Sequence, residues 1–140
     1  MEVVRKLSVS DNSAVALVAA ACRKAGELGM AISVTVVDEA GGLKAFRRMD
    51  GAPLLSVSAS RTKALTAVGF GMPTGRAWLD FIAGDPILER GVQSLQDFTL
   101  LGGGHPLFQE ESLVGAIGVS GGHYSQDEEC VRAALDAVVD

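Results

Sequence analysis

Apolar residues recur at helical spacing through Ala14, Leu17, Val18, Ala21, Ala25 and Leu28, behind Ser10 and Asp11, either of which can cap a helix. Gly29 follows where a helical C-terminus favours a left-handed residue. The period then changes. In "AISVTVVD" the residues Ile32, Val34 and Val36 share one face of a β-branched run, and the turn "EAGG" (39–42) leads into "LKAFRRM". Residues 31–49 are therefore expected to form an antiparallel hairpin.

Pro53 suits the first turn of a second helix running to about Phe70. Its more apolar stripe is Val57, Arg61, Ala64, Leu65 and Val68, while Ser56, Ser60, Lys63 and Ala67 line another face suited to close packing. A Gly-Met-Pro break precedes Thr74, a cap for the short helix "GRAWLDFIA", and Asp85-Pro86 starts another helical piece. The last third reads as sheet: "FTLL" (98–101), the turn "GGGHP" (102–106), a short strand, and "LVGAIGVSG" (113–121). Residues 125–139 close the chain as a helix, with Ser125 and Glu128 as a capping box and Val131, Ala134, Leu135 and Val138 as its buried stripe. Hairpins separated by helices predict an α+β fold with a mostly antiparallel sheet, without the regular βαβ alternation of a nucleotide-binding fold.

At 140 residues, 48% hydrophobic and 21% charged, the chain suits one domain over 1–140. Aromatics are 5%, so its core must come from Ala, Val, Leu and Ile. A net charge of −5 argues against a nucleic-acid or anionic-lipid partner. No leader pattern and no apolar run long enough for a bilayer are read, which makes a cytoplasmic location the expectation. Cys22 and Cys130 have no metal-ligand spacing and are expected to be packed, reduced thiols.

Glycine-rich "GGGHPL" lacks the Gly-Lys-Ser/Thr of a phosphate loop and reads as a tight turn. Gly121 and Gly122 precede a helix N-terminus, but Asp127, Glu128 and Glu129 already complement the dipole there. Both histidines, His105 and His123, lie beside glycines, where ligation or proton transfer competes with an ordinary solvated loop. Two histidines do not make a zinc site, yet haem iron needs only one or two axial ligands. Asp38 at the hairpin turn and Lys63 are acid–base candidates. Asp38 has an ordinary role as a turn residue, and Lys63 is expected to be exposed or paired with a carboxylate. No nucleophilic triad can be read from spacing.

The segments "VTVVDEAGGLKAFRRMDGA", "SASRTKALTA", "GGGHPL" and "LVGAIGVSGGHYSQDEECVRAA" together resemble the GlcG/HbpS family, similar also to the C-terminal domain of PduO-type proteins. The resemblance spans roughly residues 10–138. It implies a profilin-like fold, a central antiparallel sheet flanked by helices, and self-association as dimers or larger homo-oligomers. It further implies a small-molecule ligand, haem or a related tetrapyrrole. In that reading His105 or His123 ligates iron, Arg47, Arg48 or Lys63 meets the propionates, and Gly104, Gly122 and Tyr124 line the site. His123 and Tyr124 stand where the family motif usually carries a small polar residue. Two alternatives stay open: an enzyme acting on a small carboxylated or carbonyl metabolite through Asp38, Lys63 and His123, and a non-catalytic accessory oligomer.

Overall fold

The strand β1 (Ser33–Asp38) has five consecutive buried residues, so helices must cover both of its faces. The computed structural model describes residues 1–138 and shows how. β1 pairs antiparallel with β2 (Leu43–Arg48) on one side and with β4 (Ser112–Ser120) on the other. β4 in turn pairs antiparallel with β3 (Gly104–Gln109), giving the order β2-β1-β4-β3. On one face, α1 (Asp11–Glu27) and α5 (Tyr124–Ala137) pack over Val34, Val36, Leu107, Ile117 and Val119. On the other lies α2 (Ser56–Phe70), above Val37 and Ala116. The expected α+β class and the hairpin over 31–49 are both present. No helix among the described residues is long and apolar enough to cross a membrane.

The small-residue face of α2 packs closely, as expected, while its apolar stripe is buried only at Ala64 and Val68. Arg61 is exposed and Val57 and Leu65 are only half-buried, whereas Ser56, Ser60, Lys63, Ala64 and Ala67 are buried. The reason is distance. A methyl group placed on Gly118 would strike the Ser60 carbonyl and the Ala64 nitrogen, and one on Gly104 would strike the Lys63 carbonyl. The helix backbone rests almost directly on the sheet, leaving room only for short side chains. Two hydroxyl pairs occupy that contact, Ser33 with Ser56 and Thr35 with Ser60, each at 2.8 Å.

Other expectations are corrected in detail. α2 begins at Ser56, and the Pro53 carbonyl instead accepts the Ser56 N–H in a preceding turn. Residues 98–101 form no strand. Phe98 packs edge-on against Trp78, and the Thr99 N–H goes to Thr66 Oγ1 rather than to a ladder. This satellite cluster of Trp78, Ile82 and Val92 holds α3 (Arg76–Ile82) and α4 (Pro86–Gly91) beside the sheet. Gly104, His105 and Pro106 belong to β3 rather than to a turn, because Gly104 lets the strand pass under α2. Gly75, not Thr74, occupies the N-cap of α3. The capping box of α5 is His123 with Gln126 instead of Ser125 with Glu128. The expected end of that helix at residue 139 lies outside the described residues.

Lys63 and Asp127 belong to helices on opposite faces of the sheet, yet they meet. Lys63 Nζ donates to Asp127 Oδ2 at 2.9 Å and to the Val119 carbonyl at 2.8 Å. The Gly122 N–H donates to Asp127 Oδ1 at 3.1 Å. The two side chains are 2% and 1% exposed. Burial pushes the Asp127 carboxyl up from its ordinary range, against the pull of the Lys63 ammonium and the Gly122 N–H. The lysine crosses the end of the sheet beside Gly103, where a methyl group would lie 3.1 Å from Nζ and 3.0 Å from Asp127 Cβ. The expected lysine–carboxylate pairing is thus present, and Asp127 is also the acid in the first turn of α5.

Three measurements check this packing. Gly118→Ala should lose about 2–3 kcal/mol or more through overpacking, while Gly26→Ala, on a helical position with nothing within 4 Å, should be neutral or mildly stabilising. Equal urea midpoints for the two variants would contradict the backbone contact. Lys63→Met or Asp127→Asn alone should cost roughly 3–5 kcal/mol, with much of it recovered in the double variant Lys63→Met/Asp127→Leu. The Cys22 thiol is raised by burial, and that of Cys130 to about 11 by burial and then by the charges of Asp127 and Glu129. Both are free. Neither should react with a disulfide reagent at pH 8 until the protein unfolds, whereas prompt reaction of the folded protein would mean the α1–α5 contact is open.

Candidate functional site

The ladder register determines what β3 presents. The Val119 N–H donates to the Gly103 carbonyl at 2.8 Å, and Gly104 pairs with Gly118 and His105 with Ile117. Antiparallel alternation therefore turns the main-chain groups of Gly104 and Pro106 outward, along the free edge of the sheet. Thr74 occupies the edge at Gly104: its N–H donates to the Gly104 carbonyl at 3.0 Å, and its Oγ1 accepts the Gly104 N–H at 2.8 Å. Pro106 has no N–H to leave unpaired, so proline suits this position. Its outward carbonyl accepts from His105 Nδ1 at 2.8 Å.

That bond decides the chemistry of His105. A carbonyl can only accept, so Nδ1 carries the proton and, in the neutral ring, Nε2 keeps its lone pair. No hydrogen bond engages Nε2 among the described residues. The side chain lies on the α1/α5 face, opposite Ile117. There it lines two clefts. One, of about 270 Å³, carries Arg76, Glu128 and Arg132 along with Thr74 and Gly104. The other is a groove of about 660 Å³ between the N-terminal segment and β3, with Leu7, Leu17, Leu107, Phe108, Val114 and Val138 on its walls. Leu135 belongs to both.

His123 is placed differently. Its Nδ1 accepts the Ser125 N–H at 3.2 Å and lies 2.8 Å from Ser125 Oγ, so its lone pair is spent on capping α5. The ring stacks on Tyr124, centroids 4.2 Å apart, with both residues exposed. Neither His123 nor Tyr124 lines either His105 cleft, and Gly122 serves Asp127 instead. No group of three or more metal-ligating side chains occurs among the described residues.

The acid–base set is not brought together. Asp38 Oδ1 accepts from the Ala40 and Gly42 N–H groups at 2.9 and 2.8 Å, holding the hairpin turn. This lies at the end of β1 paired with Gly115, away from Gly104 and Ser120. Lys63 is committed to Asp127. Arg47 and Arg48 sit on β2, at the opposite edge of the sheet from His105, and Arg48 Nη2 donates to the Ala52 carbonyl at 3.0 Å. The sequence reading missed Arg76, Arg132 and Glu128. A wheel of α5 carries a signal for two of them, since Glu128, Arg132 and Leu135 follow i, i+4, i+7 and share one stripe. Arg76 has no such signal, because only the tertiary position of α3 brings it to the cleft.

Comparison with known proteins supports the same architecture. The chain is 32% identical over 113 residues to the "Uncharacterized 15.0 kDa protein in dhaT-dhaS intergenic region" of Citrobacter freundii, covering 81% of this chain and 80% of that protein. It is 32% identical over 124 residues to the corrinoid adenosyltransferase PduO of Salmonella typhimurium, covering 87% of this chain but only 36% of PduO. The crystal structure of a PduOC:heme complex superposes with a TM-score of 0.87 at 29% identity, over 94% of this chain and 96% of that one. The family model described as "Haem degrading protein HbpS-like" matches residues 9–136, and the chain therefore belongs to the HbpS-like family.

Proposed function

We propose that the protein binds haem or a related tetrapyrrole where the apolar groove meets the arginine-bearing cleft. The observation that carries this reading is His105, with Nδ1 tied to the Pro106 carbonyl and Nε2 left as a lone pair between the two clefts. A porphyrin asks for that combination: an apolar wall for the macrocycle, a fixed imidazole for iron, and cations for the propionates. The groove walls from Leu107, Phe108 and Val114 suit the macrocycle, and Arg76 and Arg132 suit the carboxylates. Lys63, Arg47 and Arg48 are not assigned to them. When bound, haem would supply a redox-active iron, which His105 would hold. The haem complex of PduOC, a structural relative, supports the same ligand class. The reading further takes the protein to be a cytoplasmic homo-oligomer.

Titration with hemin should give a saturable Soret shift. His105→Ala should weaken binding by about tenfold or more and remove the spectral signature of imidazole ligation. His123→Ala should leave that spectrum unchanged and lower thermal stability by loss of the cap. A wild-type protein without a saturable Soret change would sink the haem assignment. An unchanged spectrum for His105→Ala would move the ligand elsewhere.

A further inference from the structure

The polar cleft contains a carboxylate that the protein itself does not use. Glu128 makes no hydrogen bond and no ion pair among the described residues, although Arg132 follows it by one helical turn on α5. Its position is nonetheless made for it. A methyl group on Gly102 would collide with Glu128 Oε1, and one on Gly75 would come within 2.9 Å of the same atom. Two glycines from separate loops thus clear a niche for one half-buried carboxylate, which then faces the cleft without a donor. The carboxylate is half-buried in this niche, and no protein donor reaches it among the described residues.

Across the same cleft stand groups of the opposite character. Arg132 has no ion-pair partner among the described residues, and Arg76 has only a 3.9 Å approach to Asp80 on the exposed side of α3. Their guanidiniums offer the forked donors that match a carboxylate. His105 adds a second acceptor through Nε2. The walls therefore carry two guanidiniums and, separately, a carboxylate and an imidazole nitrogen, around about 270 Å³.

We infer that this cleft is a binding site for a small zwitterion, an amino-acid-like molecule carrying both a carboxylate and an ammonium group. The carboxylate sits on Arg132 and Arg76, and the ammonium donates to Glu128 and His105 Nε2. A simple carboxylate would leave Glu128 unanswered and repelled. A simple amine would leave Arg132 unanswered. A molecule with both charges meets the guanidiniums and the carboxylate of the cleft at once. The site shares Arg76, Arg132 and His105 with the haem reading, so the zwitterion occupies it only in the haem-free protein and haem would displace it.

The test uses haem-free protein, with binding followed by calorimetry and by the amide resonances of Gly103, Gly104 and Glu128. The probes are glycine, β-alanine and 4-aminobutyrate, which separate the charges by increasing lengths, with acetate and methylammonium as single-charge controls. One zwitterion should bind about tenfold or more tightly than either control, since one charge-assisted contact is worth roughly that factor. Glu128→Gln should bring that zwitterion down to the level of acetate, and Arg132→Gln should bring it down to the level of methylammonium. Both variants lie on the cleft side of α5 and should keep the wild-type melting temperature. Equal affinity for the zwitterions and acetate, or a Glu128→Gln variant that still distinguishes them, would overturn the assignment. Because hemin is absent throughout, a negative result leaves the Soret experiment on His105 untouched.

Discussion

The fold depends on one contact that passes from layer to layer. In a helix–sheet–helix sandwich the two outer layers normally interact only through the sheet. Here the Lys63 ammonium crosses the end of the sheet and meets Asp127 on the far helix, with the Val119 carbonyl as a third partner. This is possible because α2 lies so close to the strands that a lysine stem reaches past them, and because Gly103 leaves the opening. Desolvation alone would make such a pair unfavourable. Its hydrogen bonds to Val119 and Gly122 offset that penalty, and its geometry specifies how α2, β3, β4 and the start of α5 are mutually aligned.

Much of this was legible in the chain, where local physics and tertiary packing agree. The α1 stripe, the hairpin around Asp38 and Asp85-Pro86 at the start of α4 all appear as read, because each depends on periodicity or on a turn residue acting locally. The errors share a different cause. The small face of α2 was legible as a close-packing one, but not that it would be buried in preference to Val57 and Leu65, because no periodicity rule contains its distance from the sheet. "GGGHP" was read as a turn because three glycines usually make one, whereas Gly104 is a strand residue whose missing side chain answers the Lys63 carbonyl. Ser125 with Glu128 matched a capping pattern two residues too late, since His123 satisfies the same helix end with a ring nitrogen.

The candidate site follows the same division. His105 could be singled out from its setting, but its distinction from His123 could not. The two rings differ in what their Nδ1 atoms touch, a carbonyl in one case and an amide N–H in the other. One is thereby left with a ring lone pair toward the clefts, and the other is bound into a helix end. The chain belongs to the HbpS-like family, and the tetrapyrrole reading proposed above starts from that membership. The proposed location rests on the residues around His105, which the family resemblance alone did not distinguish from those around His123.

The absence of slack beneath β3 has a mechanical meaning. Gly104 is held between Thr74 on its outer side and the main chain of α2 beneath it, and His105 is the next residue. A ligand that pulls on the imidazole does not pull on a loop. The load passes through Gly104 to a helix backbone, and from Lys63 to the layer on the far side. The binding surface is accordingly stiff before any ligand arrives, so little of the binding free energy is diverted into ordering it.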